Sequence, residues 1–137
     1  MKQRPRIGSV RLGRLAVTLG IVIVVNLVIF WVGASSYSMR IEGTSRGVSS
    51  VPVALWTALP FVLVGLLAWE LDRFFAWARP AFGWCGLIFA ILSAALPLLL
   101  LANLAAGAVL ALLHLVTGLG WAVALRPWRS ETELISK

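Results

Sequence analysis

The chain of 137 residues has one histidine, His114, and one cysteine, Cys85. Both lie in apolar surroundings, Cys85 in "GWCGL" and His114 in "LALLHLVTG". A histidine can serve as a general base, a proton carrier or a metal ligand, and a cysteine as a nucleophile. The composition narrows these options sharply. A thiol–disulfide relay needs two cysteines, and a thiolate zinc site needs several ligands. Cys85 therefore reads as a buried free thiol, and neither a metal nor a cofactor is expected. A nucleophile–histidine–acid set would need Cys85 or Ser93, His114 and a carboxylate within hydrogen-bond reach. Cys85 lies near the start of its apolar run and His114 near the middle of another, so they do not meet. Ser93 can reach the level of His114, but Glu70 and Asp72 lie roughly 15 Å from it at 1.5 Å per helical residue. No catalytic residue is assigned, and the chain reads as a non-enzyme.

What remains is a short inventory of polar groups inside apolar runs. The interhelical polar cluster expected from it comprises Asn26, Thr57, Ser93, His114 and Thr117. Asn26 and His114 fall near mid-depth of their runs. Polar groups at such depth find no water and take partners from the protein. The simplest partner for His114 is Asn26 or Ser93 across a helix interface, which makes it a neutral histidine fixing helix register. The alternative is a proton-sensitive or ligand-binding group in a central cavity. Pro60 and Pro97 bear on that choice. Each removes a backbone hydrogen bond and tends to kink its helix. Two kinks in the outer half of the chain's spans would open a cavity there.

The elements that must position these groups are membrane spans. Hydrophobic residues make up 61% of the chain and charged residues 12%, and mean hydropathy is +0.96. Four apolar runs, residues 15–34, 51–71, 81–101 and 104–125, are each long enough to cross about 30 Å of hydrocarbon. An outer loop covers 35–50 and a tail 126–137. Asn103 marks the tight turn between the last two spans, since asparagine tolerates turn conformations and bonds its own backbone. The first span exceeds a signal-peptide core of about 7–15 apolar residues and reads as retained. Of the twelve Lys and Arg residues, ten fall on one side: Lys2, Arg4, Arg6, Arg11, Arg14, Arg73, Arg79, Arg126, Arg129 and Lys137. Only Arg40 and Arg46 fall on the other. The positive-inside rule places both termini in the cytoplasm. Topology thus accounts for the net charge of +7, and no nucleic-acid partner is expected. Tryptophans near both ends of the spans, Trp121 among them, fit interfacial belts.

Small residues supply the packing seams. They are Gly107, Ala111 and Gly118 in the last span and Gly86, Ala90 and Ala94 in the third. Ala54, Ala58 and Gly65 mark the second, and Gly13 and Gly20 the first. Helices in lipid associate through such close approaches. The fold class is therefore all-α, a single antiparallel four-helix bundle in a membrane.

The segments "LSAALPLL" (Leu92–Leu99) and "LALLHLVTG" (Leu110–Gly118) carry a resemblance. With Pro97 and His114 in place, the chain resembles an uncharacterised family of small four-helix membrane proteins common in high-GC Gram-positive bacteria. The resemblance covers most of the second to fourth spans. It implies a fold and no activity. Two functions stay open. One is an accessory, assembly or interaction subunit, as a homo-oligomer or within a larger complex of a bacterial cytoplasmic membrane. The other is a small transporter or ligand binder with a cavity near His114. In either case the basic N-terminus is expected to meet the anionic lipids of the inner leaflet.

Overall fold

The computed structural model describes residues 8–39, 47–72, 74–75, 77–101 and 103–126. Among them the chain forms α1 (Gly8–Ser36), α2 (Ser50–Leu71), α3 (Ala78–Ser93), α4 (Ala95–Leu100) and α5 (Leu104–Leu125). Most of the basic N-terminal segment, Arg40, Arg46, Arg73 and the tail after Arg126 lie outside the described residues.

Each element follows from local chemistry. The third apolar run divides into α3 and α4 at Ala94. Pro97 has no N–H to donate to the carbonyl of Ser93, four residues earlier, so the α-helical ladder cannot run through that point. Pro60 has the same chemistry, yet α2 is assigned as one helix on both sides of it. The helix is thus interrupted before Pro97 and runs on through Pro60. At the hairpin between α4 and α5, Asn103 acts as the N-cap. Its side chain accepts from the backbone N–H of Ala105 at 2.8 Å and of Ala106 at 3.4 Å. Two orphan donors of the first turn of α5 are satisfied in this way.

α5 is the central element. It packs most extensively against α3 and α1, and α4 also lies against it, while α2 lies chiefly on α1. Two apolar clusters fill the bundle. At the end that carries the start of α1 and the finish of α5, Leu15, Val22, Phe61, Ala68, Trp121, Ala124 and Leu125 pack together. At the opposite end Phe30, Val53, Leu101, Ala106, Leu110 and Leu113 do the same, joined by Met39 from the segment after α1. That second cluster lies in the half of the bundle where a cavity was expected.

The outer surface is apolar. Trp31, Trp56, Phe89 and Leu99 are each more than 60% exposed. In water such a continuous apolar surface drives association, and in hydrocarbon it is the ordinary surface of a membrane bundle. Four stretches, Leu12–Ser36, Ser50–Leu71, Ala78–Leu100 and Leu104–Leu125, are long and apolar enough to cross a membrane.

Four residues differ from expectation. Cys85 is exposed on α3, not buried. Trp121 turns into the core: it stacks on the fully buried Phe61 with ring centroids 5.6 Å apart. Gly13 and Gly20 have nothing within 4 Å of their Cβ positions, so this seam of α1 points away from the bundle.

Candidate functional site

The polar centre of the bundle is Asn26. It occupies the buried face of α1 between Val22 and Phe30, one helical turn from each, and is 1% exposed. Its amide nitrogen Nδ2 donates to Thr57 Oγ1 on α2 at 3.0 Å and to Thr117 Oγ1 on α5 at 2.9 Å. One side chain thereby ties three helices together. The threonines explain the orientation of the amide. Thr57 Oγ1 donates its own proton to the Val53 carbonyl at 2.8 Å, and Thr117 Oγ1 donates to the Leu113 carbonyl at 2.8 Å. Both hydroxyl protons are committed within their own helices, so both oxygens are left as acceptors. Only the NH2 end of Asn26 satisfies two acceptors at once. The consequence falls on the other end of the amide. Among the described residues, Asn26 Oδ1 is buried with no hydrogen-bond donor, and the indole N–H of Trp121 is buried with no acceptor. An unpaired buried polar atom carries a desolvation cost of about 1–3 kcal/mol.

The two remaining members of the expected cluster do not join this network. His114 Nδ1 lies 2.9 Å from the Leu110 carbonyl, on its own helix. A carbonyl can only accept, so Nδ1 carries the proton in this contact. Ser93 Oγ likewise donates to its own helix, at the Ala90 carbonyl, over 3.2 Å. The expected bond from His114 to Asn26 or Ser93 is therefore replaced by one within α5. The reason is azimuth. His114 and Thr117 are three residues apart, which rotates them by about 60° around the helix. Thr117 turns toward α1, whereas His114 lies on the stripe between Gly107 and Gly118. Those two glycines lie against α4 and α3, with Pro97 and Leu98 beside Gly107 and Ala90 and Leu87 beside Gly118.

This arrangement predicts the effect of His114→Leu. The Leu110 carbonyl keeps its place in the helix ladder, and no interhelical bond is lost. Stability in detergent should change by less than about 1 kcal/mol. A loss as large as that of an Asn26 variant would contradict the placement of His114 on its own helix.

A second constellation lies at the end that carries the start of α1. The Arg14 guanidinium donates to the Arg126 carbonyl at 3.2 Å and also to the Val123 carbonyl. These acceptors belong to the last turn of α5 and the residue after it, where carbonyls lack helical partners and carry the negative end of the helix dipole. An arginine from α1 thus caps the C-terminus of α5. Close by, Arg79 of α3 pairs with Asp72 at the end of α2 over 3.3 Å. Neither contact was visible in the sequence, where these cations served only as topology signals. Glu70 and Arg73 are three residues apart, the spacing of a helical ion pair, but Arg73 lies outside the described residues. Among the described residues no three His, Cys, Asp or Glu side chains gather closely enough to hold a metal ion.

Residues 5–131 match a family of unknown function (DUF6069). No curated protein and no solved structure matches the chain.

Proposed function

The chain belongs to the DUF6069 family, and from that premise we propose that it is a non-catalytic interaction subunit of a bacterial cytoplasmic membrane, working through the outward face of α1. In this reading four helices span the bilayer and both termini lie in the cytoplasm, as the distribution of Lys and Arg supports.

One observation carries the proposal. The other glycines within the bundle helices are used for contact inside it. Cβ atoms placed at Gly33, Gly65, Gly86, Gly107, Gly118 and Gly120 would each meet a neighbour from another segment at van der Waals distance or closer. Gly13 and Gly20 are the exception among the helical glycines described, with nothing within 4 Å. They are seven residues apart and so share one face, with Val17, Val24 and Trp31 on the same stripe, all exposed. A helix that faces only lipid gains nothing from glycine, which costs about 1 kcal/mol in helix propensity relative to alanine. A face that receives another helix gains close backbone approach. The occupant proposed is a transmembrane helix, from a second copy or from a partner subunit. The alternative ligand-binding reading requires volume beside His114. The half of the bundle where that volume was expected holds the packed side chains of Phe30, Met39, Leu110 and Leu113.

The test is the mass of the complex extracted in mild detergent. Gly20→Leu should release the wild-type assembly to a smaller species without lowering the thermal midpoint of the bundle, because the substitution touches nothing inside it and leucine has the higher helix propensity. An assembly that survives Gly20→Leu together with Gly13→Leu would overturn the reading.

A further inference from the structure

A groove of about 510 Å³ runs between α3 and α5 at the end of the bundle where α5 finishes. Its walls are Pro80, Gly83 and Leu87 on one side and Leu119, Ala122 and Val123 on the other. It exists because the helices meet through small residues there. A Cβ at Gly83 would lie 3.5 Å from the Leu125 Cβ and 3.9 Å from the Ala122 Cα, so α3 and α5 approach closely at the floor of the groove. Trp84, 66% exposed, stands at its edge. Arg126, also exposed, closes its end.

We infer that this groove binds one acyl chain of an anionic phospholipid, with the lipid phosphate on Arg126. The inference rests on the membrane-spanning reading above and adds a specific lipid site to it. Charge decides the class of headgroup. The C-terminus of a helix ordinarily presents carbonyl oxygens that repel an anion. Here the Arg14 guanidinium donates to the carbonyls of Val123 and Arg126. Two carbonyls at the negative end of α5 are thereby occupied, beside the exposed Arg126 that lines the groove end. The acidic groups described at this end, Glu70 and Asp72, are on α2, whereas the groove belongs to α3 and α5. Asp72 is held by Arg79. An arginine also offers a planar fork of donors that matches phosphate oxygens. The tryptophan at the edge is a residue suited to the level of headgroups. An apolar channel with a cation at one end is complementary to a lipid, while a soluble anion would leave the channel unused.

The experiment titrates the purified protein in nonionic detergent with phosphatidylglycerol or with phosphatidylcholine of the same chains. The readouts are the thermal midpoint and the number of lipids retained in native mass spectrometry. Half-saturation by phosphatidylglycerol is expected at about fivefold lower mole fraction, the effect of about one cationic contact near the surface. Arg126→Gln, at an exposed position, should bring the two lipids to within about twofold of each other. Ala122→Leu fills the groove and should weaken both. Equal binding of the two lipids by the wild type overturns the inference, as does a phosphatidylglycerol preference that survives Arg126→Gln. Stabilisation by soluble glycerol phosphate equal to that by phosphatidylglycerol also overturns it, in favour of a free-anion site. Retention in membranes after alkaline carbonate extraction is scored separately. Loss from the membrane sinks the spanning reading, whereas retention without lipid selectivity sinks only the groove.

Discussion

Alanine in place of Asn26 is expected to destabilise the bundle by about 2–4 kcal/mol, combining two interhelical hydrogen bonds of about 0.6–2 kcal/mol each with the cavity that remains. The magnitude follows from the position of the side chain. Asn26 bonds α1 to α2 and to α5 at once, and at 1% exposure no solvent can replace it. Without the amide, the Thr57 and Thr117 oxygens still donate within their own helices but accept nothing across the interface. Leucine at the same position should cost much less than alanine. It fills the volume, and it removes the unpaired carbonyl oxygen Oδ1, whose burial is itself unfavourable. Reversible unfolding in mixed micelles gives both values. Double-mutant cycles with Thr57→Val and Thr117→Val should return a coupling of about 0.5–1.7 kcal/mol for each pair. An Asn26→Ala variant as stable as the wild type would remove the case for a three-helix tie.

Gly107→Val is expected to abolish the folded bundle, and Gly107→Ala to cost about 1–3 kcal/mol, the usual range for overpacking. A Cβ at Gly107 would lie 2.8 Å from the Pro97 carbonyl oxygen, 3.1 Å from the Leu98 Cα and 3.3 Å from the Pro97 carbonyl carbon. All three are backbone atoms of α4. They are held by the short hairpin through Asn103, whose cap fixes the first turn of α5. The helices can yield only by separating, which breaks contacts along the whole α4–α5 interface. Gly33 provides the comparison. A Cβ there meets Val109 Cγ1 at 2.5 Å and Met39 Cε at 2.9 Å. Both are ends of side chains, and the flexible methionine can swing away at little cost. Gly33→Ala should therefore be milder than Gly107→Ala in thermal midpoint and in yield from the membrane. The reverse order would mean that the α4–α5 contact is looser than its geometry indicates.

The difference between these glycines and those at positions 13 and 20 shows where sequence reasoning stopped. All are small residues in apolar helices, and all fit a packing seam. The seams at Gly107 and Gly118 do face α4 and α3, and the capping role of Asn103 follows from its own chemistry. The seam at Gly13 and Gly20 turned outward, Cys85 turned out and Trp121 turned in. Depth was readable at each of these positions because the helical rise is constant. Azimuth was not, because a helix that is apolar all round carries little record of which side faces its neighbours.

The polar site divides in the same way. That Asn26, His114 and Thr117 sit near one level in the bundle follows from residue counting. That Thr117 receives the Asn26 amide, while His114 bonds back to Leu110, depends on the rotation of α5 against α1. The residues of α1 that cap α5 through Arg14 are more than a hundred positions away in the chain, and no local pattern announces such a pairing. What the sequence determined alone was the presence of four apolar runs, the turn at Asn103 and the level of each polar group along its run. These rest on hydropathy, on backbone hydrogen bonding and on the fixed geometry of the helix. Only the tertiary structure decided which faces meet and which polar atoms pair. Lipid is as apolar as the interior, so hydrophobicity gives no preference between inward and outward faces. That choice falls to close packing and to a few hydrogen bonds, which exist only once the helices are together.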